Sequence, residues 1–308
     1  MGITQRPQVV FFGSGPVAAN SLSLLAQYAD IEAVITKPST ERDMAHIAPN
    51  APIFVADSKR SLNKIIDTQQ FSSRVAVLID YGVIVSQRVI DSFELGIINS
   101  HFSLLPQWRG ADPITHAILS GQSLTGVSLM LLVAKMDEGP IIAWGEQPLT
   151  GMETTTELTD NLIHLSNDLL RVELPRYLAG DVIPQPQEKL AKKYDLSVSY
   201  SRKLTKQDGI LDFTKSANQL EREIRAFVDW PKSRTTIGDR DVIITAAHAV
   251  YEANDNLPPG KITTAPREKR LKISCAEGVL YIDRLKPAGK PDMSVEAFLA
   301  GYNPSATQ

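Results

Sequence analysis

Asn99 and His101 stand two residues apart at the end of the apolar run Gly96-Ile97-Ile98. In an extended strand, residues i and i+2 share a face, so the amide and the imidazole project together. Side by side they can donate hydrogen bonds to an oxygen that gains negative charge. A carboxylate, Asp137, follows a second apolar stretch in Met136-Asp137-Glu138-Gly139. Within reach of a histidine, it would fix the tautomer and stabilise the imidazolium. The three groups suit acyl transfer through a tetrahedral intermediate. No serine or cysteine sits in a G-x-S-x-G elbow, which favours direct transfer between bound substrates over a covalent enzyme intermediate. A lone histidine at a strand end is also a common structural residue, and spacing alone leaves both readings open.

The surrounding pattern must place these groups. Short β-branched or apolar runs at Val9–Phe12, Ala33–Thr36, Ile53–Val55, Val75–Ile79, Gly96–Ile98, Val127–Val133 and Ile141–Trp144 read as strands. Helical periodicity at Val17–Tyr28 and Thr154–Tyr177 falls between or after them. The alternation predicts an α/β fold: a Rossmann-like, mainly parallel open sheet with helices on both faces. Such sheets bind ligands beyond the carboxyl ends of their strands. Gly13-Ser14-Gly15 leaves the first strand and opens a helix, a geometry that can hold a phosphate. Position 18 is Ala18, so the third glycine of a dinucleotide fingerprint is missing and a tight turn is the simpler reading.

Around Gly180–Tyr194 the pattern lapses into prolines, glutamines and lysines, read as an exposed basic linker. Beyond it lie one helix, Ser216–Val228, and several short strands broken by Gly, Pro and Asp. They predict a second, smaller C-terminal β-barrel of OB-like type. The division is a catalytic domain over 1–182, a linker over 183–202 and the barrel over 203–308. Cys275 alternates into a strand pattern as a small buried hydrophobe, and Trp144 and Trp230 read as core or domain-interface residues.

Composition narrows the classes. The chain has 308 residues, enough for about two domains without disulfide staples. Its formal net charge is −3, so no overall basic field draws nucleic acid. The balance is uneven: residues 185–290 hold 20 Lys and Arg against 14 Asp and Glu. That excess suits an anionic partner for the second half, or simply a mixed surface. One cysteine and no paired histidines at zinc-ligand spacing predict no metal site. No apolar run is long enough for a membrane span, and the amino-terminal residues lack signal-peptide character, so a cytoplasmic protein with no membrane partner is expected.

Larger motifs surround the candidate residues. Asn99-x-His101-x-Ser103-Leu104-Leu105-Pro106, Trp108-Arg109-Gly110 and Pro113-Ile114 are followed by Thr125-Gly126-Val127 and Asp137-Glu138-Gly139-Pro140-Ile141-Ile142. This set resembles the formyltransferases that use formyl-tetrahydrofolate. Lys203-Leu204, Asp208-Gly209-x-Leu211-Asp212, Leu220-Glu221-Arg222-x-Ile224-Arg225-Ala226-Phe227 and Trp230-Pro231-x-Ser233 resemble the C-terminal domain of the branch that formylates methionyl-tRNA. The resemblance implies 10-formyltetrahydrofolate as co-substrate and initiator methionyl-tRNA as acceptor, for translation initiation, in a monomer. It implies that Asn99, His101 and Asp137 are catalytic. The amide and imidazole would stabilise the oxyanion while Asp137 orients His101 and helps move a proton toward the departing folate nitrogen.

The same resemblance implies a pterin cleft bounded by Ile79, Asp80, Tyr81, Gly82 and Val83. Its other walls are Ser103, Leu105, Pro106, Gln107, Trp108, Arg109 and Gly110, and Glu138, Gly139, Pro140 and Ile141. Gly13, Ser14 and Gly15 would border the acceptor. Contacts to tRNA would come from Lys37, Arg42, Lys189, Lys192, Lys193, Arg202, Lys203 and Lys206. Two departures stand out. The Gly- and basic-rich insertion usual after the second strand is replaced by Thr36-Lys37-Pro38 through His46, with Lys37 and Arg42 its only Lys or Arg. Asp80 occupies a position where a small residue is usual. The first departure favours a rival acceptor, an amino-sugar nucleotide; a non-catalytic RNA-binding relative is a second rival.

Overall fold

The computed structural model describes residues 6–251, 257–265 and 270–302. The expectations for the first five residues and for the end of the 203–308 range lie outside them.

Buried apolar strands build the first sheet. β1 (Gln8–Gly13), β2 (Asp30–Thr36), β3 (Ile53–Val55), β4 (Ala76–Ile79) and β5 (Ile97–His101) run parallel. A two-residue strand, β6 (Arg109–Gly110), precedes β7 (Leu124–Leu131) and β8 (Ile141–Pro148), which add antiparallel strands at one edge. The order is β3-β2-β1-β4-β5-β7-β8. Six helices intervene: α1 (Gly15–Leu25), α2 (Glu41–Ile47), α3 (Lys59–Thr68), α4 (Gln87–Ile90), α5 (Pro113–Ser120) and α6 (Thr155–Ala179). This is the Rossmann-like sheet that the alternation of runs predicts. Chain order reverses between β1 and β4, and a crevice opens outside the strand ends at such a reversal.

Local chemistry explains why these segments hold. Val10, Phe12, Ile35, Ala76, Leu78 and Ile97 are buried in one cluster. The Phe12 ring meets Tyr81 and Phe93 edge-on, with centroids 5.8 and 6.0 Å apart, geometry worth about 0.5–1.5 kcal/mol per pair beyond area burial. Gly13 is required where α1 crosses β1, because a Cβ there would lie 2.6 Å from Ala18 Cβ. At α3, Ser58 Oγ accepts from Ser61 N (3.3 Å) and Ser61 Oγ accepts from Ser58 N (3.1 Å). Ser58→Ala removes that box and should cost about 1 kcal/mol, lowering the melting temperature by roughly 2–4 °C. A thermal melt of the variant checks this.

The stretch expected as an exposed linker is folded. α7 (Gln187–Tyr194) and β9 (Tyr200–Ser201) occupy it, and β9 pairs in parallel with β6. Gln187, Leu190, Ala191 and Tyr194 recur at helical spacing and give α7 an inward face. Leu190 packs on Leu105, Met130 and Ile141, and Tyr194 lies against Trp144 with ring centroids 5.2 Å apart. The lysines that suggested a linker occupy the other positions of the same helix.

By contact density the chain divides in two. One unit takes in residues up to Pro113, Leu124–Pro148 and Thr159–Ser201; the other takes in Ile114–Ser123, Leu149–Leu158 and the residues from Arg202. The second unit is an OB-like antiparallel sheet. It comprises α8 (Ala217–Ala226), β10 (Ser233–Ile237), β11 (Arg240–Val250), β12 (Ile262–Ala265), β13 (Arg270–Ser274), β14 (Val279–Pro287), β15 (Met293–Ser294) and α9 (Val295–Gly301). The order is β10-β11-β14-β13-β12, with β15 on β14. Leu220, Ile224, Ile244, Leu271, Ile273, Leu280 and Ile282 form its core. Cys275 is buried there, and burial pushes its thiol up to about 11. Trp230 is instead 54% exposed, so it is not the core residue that its size suggests. No helix among the described residues is long and apolar enough to cross a membrane.

Candidate active site

β5 delivers Asn99 and His101 as the strand period requires. Both side chains are buried, at 7% exposure each. The Asn99 amide makes no hydrogen bond among the described residues. It is a donor and acceptor with no protein partner in a nearly buried setting, available to a ligand oxygen. His101 Nε2 donates to the Trp108 carbonyl at 2.9 Å. Its Nδ1 faces Asp137 Oδ1 at 3.8 Å, an ion-pair distance and too long for a hydrogen bond. Trp108 thus holds the ring through one nitrogen, while the Asp137 carboxylate faces the other. The other carboxylate oxygen of Asp137 accepts from Gly110 N at 2.7 Å.

Two segments converge on this trio. Gly139 lets the Asp137 turn fold over the end of β7, since a Cβ there would sit 1.7 Å from the Leu131 carbonyl oxygen. The loop from Ser103 to Gly110 is braced from behind. Ser103 Oγ donates to Gln107 O (2.5 Å), and Ser128 Oγ donates to Ser103 O (2.7 Å). Ser199 completes the brace: its Oγ accepts from Trp108 N at 2.9 Å and its carbonyl accepts from Arg109 N at 3.0 Å. Asp80, Trp108, Asp112 and Asp137 all have positive φ, from 47° to 55°. Four non-glycine residues in that region, in segments around one site, mark stored backbone strain.

The crevice between β1 and β4 carries a second polar group of residues. Ser14 N donates to Asp80 O (3.0 Å), and Ser14 Oγ donates to Tyr81 O (2.9 Å). Ser14 therefore braces the exit of β4 with both of its donors. Lys37 reaches the same place, its Nζ lying 2.7 Å from where a Gly82 Cβ would be. Asp80 keeps exposed surface, yet the protein around its carboxyl displaces enough water to hold it above the usual carboxylate range; Lys37 opposes this and Asp112 adds to it. Its proton is thus bound more tightly in the folded protein than in the unfolded chain. Stability is lost as pH rises from the unfolded pKa through the folded one. Asp80→Asn should therefore raise the melting temperature at pH 7 and leave it nearly unchanged at pH 3. Melts of both proteins at the two pH values check the sign.

Several expected cleft residues turn their side chains away. Ile79, Tyr81, Ser103, Leu105, Pro106 and Ile141 are buried, and the Tyr81 hydroxyl donates to Ala56 O at 3.3 Å. Arg109 is buried as well and pairs with Gln187 and, at 3.6 Å, with Glu138. Asp80, Gly82, Val83, Gln107, Trp108, Gly110, Glu138 and Pro140 keep exposed surface. Ile84 and Met136, at 74% and 70% exposure, adjoin the same segments, and the sequence reading had passed over both. It also missed Gln187, for which the helical spacing of α7 was the available signal, and Ser199, which lies beyond that helix and had none. Among the basic residues, Arg42, Lys189, Lys192, Lys193, Lys203 and Lys206 are exposed. Arg202 is held by the Asp208 carboxylate, so it is not a free cation.

Comparison with known proteins agrees with the geometry. The formyl transferase family matches residues 8–172, and the formyl transferase C-terminal domain matches residues 203–303. The methionyl-tRNA formyltransferase of Myxococcus xanthus is 31% identical over 310 residues, 96% of each chain. That of Pseudoalteromonas translucida is 29% identical, covering 97% of this chain and 95% of its own. Among solved structures, the N-formyltransferase of Helicobacter canadensis, in complex with folinic acid and dTDP-3-aminofucose, superposes with a TM-score of 0.66. It has 19% identity over 90% of this chain and 98% of that one. HypX from Aquifex aeolicus with tetrahydrofolic acid gives a TM-score of 0.63 at 15% identity, covering 94% of this chain and 46% of that one.

Proposed function

The chain belongs to the formyltransferase family, and from that premise we propose that it transfers the formyl group of 10-formyltetrahydrofolate to the amino group of initiator methionyl-tRNA. In this reading the co-substrate lies against Asp80–Val83, Gln107–Gly110 and the Asp137–Pro140 turn, with its formyl oxygen toward Asn99. The unsatisfied Asn99 amide suits that oxygen, because a donor without a protein acceptor is free to strengthen its bond as charge develops. The acceptor amine attacks the formyl carbon. With Nε2–H committed to the Trp108 carbonyl, His101 donates to the oxyanion from Nδ1 as the imidazolium. Asp137 takes the proton that the attacking nitrogen sheds and returns it toward the departing folate nitrogen.

The observation that carries the acceptor is the full-length likeness to methionyl-tRNA formyltransferases, which includes the second unit. A second reading, transfer to an amino-sugar nucleotide, is favoured by one feature. Residues 37–47 form only a single turn of 3₁₀-helix and the short α2, with Lys37 and Arg42 as their only Lys or Arg. Purified protein incubated with 10-formyltetrahydrofolate and, separately, charged initiator tRNA or an amino-sugar nucleotide decides between them. Formylmethionyl-tRNA formation at the higher kcat/KM supports the proposal. Preferential formylation of the sugar overturns it in favour of the second reading.

A further inference from the structure

We propose that Gln187, on the helix between the two family regions, is a positioning residue that locks both halves of the formyl-transfer centre. The inference rests on the assignment of Asn99, His101 and Asp137 made above. Gln187 is 1% exposed. Its amide nitrogen donates to the Asp137 carbonyl (2.7 Å) and to the Gly139 carbonyl (2.8 Å). Its amide oxygen accepts from Arg109 Nε (3.2 Å) and Nη2 (2.7 Å). Two donors and two lone pairs are all that a glutamine amide has, and all four are used. A single planar group therefore spans the Asp137 turn on one side and β6 on the other.

Both of those segments bear directly on the trio. Asp137 sits at φ 52°, a conformation that its surroundings must enforce. Gln187 holds its carbonyl, while the Gly110 amide holds its carboxylate. Gly110 follows Arg109, the residue bound by the oxygen of Gln187. Trp108, whose carbonyl fixes His101, precedes Arg109. Removing Gln187 leaves only the Gly110–Asp137 hydrogen bond and the longer Arg109–Glu138 ion pair between the two segments, which loosens their register, and misplacement of about 1 Å in a catalytic group can cost roughly 10²-fold in rate. Ser199 and Ser201 clamp β6 from the same segment but touch neither Asp137 nor Gly139. Gln187 alone among these ties the two together.

Three substitutions in the full-length protein test this, with kcat and KM measured for transfer from 10-formyltetrahydrofolate to methionyl-tRNA. Gln187→Glu keeps the length and the acceptor for Arg109 but sets an oxygen against the two carbonyls. Gln187→Met keeps the volume and loses all four bonds. Gln187→Asn keeps the amide and withdraws it by one carbon, the mildest change for folding. Each folded variant should lose roughly 10–100-fold in kcat, with KM for the folate within about threefold of wild type. Wild-type kcat in folded Gln187→Asn overturns the inference. So does rescue by Gln187→Glu where Gln187→Met fails, because the residue then only anchors Arg109. His101→Ala serves as the reference. If it too keeps wild-type turnover, the assignment of the centre fails, and not merely the role of Gln187.

Discussion

Replacing His101 with alanine is expected to lower turnover by roughly 10²–10⁴-fold, the range for groups that move protons or stabilise an oxyanion, with the fold intact. The ring ends β5 and makes one hydrogen bond, from Nε2 to the Trp108 carbonyl. Its loss leaves that carbonyl with the Ser201 hydroxyl, at 3.3 Å, as its donor, a cost of about 1 kcal/mol, small against domain stability. Asp137→Ala should lose turnover on the same scale but is a less clean test. It also deprives the Gly110 amide of its acceptor, so loop geometry changes together with chemistry. Asp137→Asn retains an acceptor oxygen and separates the two effects. Single-turnover transfer, measured beside a thermal melt, reads the outcome. A folded His101→Ala protein with near-wild-type turnover would remove the mechanism.

The parts of this site that follow from local periodicity were legible in the sequence. Period two puts Asn99 and His101 on one face of β5, a strand whose five residues are all buried. Asp137 could be placed after a strand but not at its distance from the imidazole, because that distance depends on which segments press the turn into place. The positive φ of Asp80, Trp108 and Asp137 has no local signature, since none is glycine. Such conformations are imposed by tertiary contacts. Composition misled at α7. Lysines and glutamines gave a linker, although Gln187, Leu190, Ala191 and Tyr194 carry the spacing of a packed helix. Arg109 misled in the other direction: a cation in a motif invites a ligand, yet here it satisfies a buried amide and a neighbouring carboxylate.

Replacing Lys189, Lys192 and Lys193 together is expected to raise the apparent KM for methionyl-tRNA by about 10²-fold and to flatten its salt dependence by up to about three units. All three lie exposed on α7, at i, i+3 and i+4, so they share one side of the helix. Gln187 and Leu190 face the protein. Lys189 is loosely tethered through a hydrogen bond to Gln185 (2.8 Å), and Lys193 lies over the Tyr194 ring at 4.9 Å. Neither meets a carboxylate among the described residues, so both charges are available to phosphates. Each phosphate contact releases condensed counterions, so affinity falls linearly with log salt and each lost contact lowers that slope by just under one unit. Folate KM should not move, since the inward face of α7 is untouched. Arg42→Ala, at the start of α2 in the short segment after β2, should act mainly on kcat by misplacing the aminoacyl end. The measurement is kcat and KM for tRNA between about 50 and 200 mM salt, the span over which such contacts weaken binding most visibly. An unchanged KM and slope in the triple variant would mean that the lysines only solvate the helix. Failure of the wild type to use tRNA even at low salt would point instead to a small acceptor, for which a basic helix has no phosphate chain to follow.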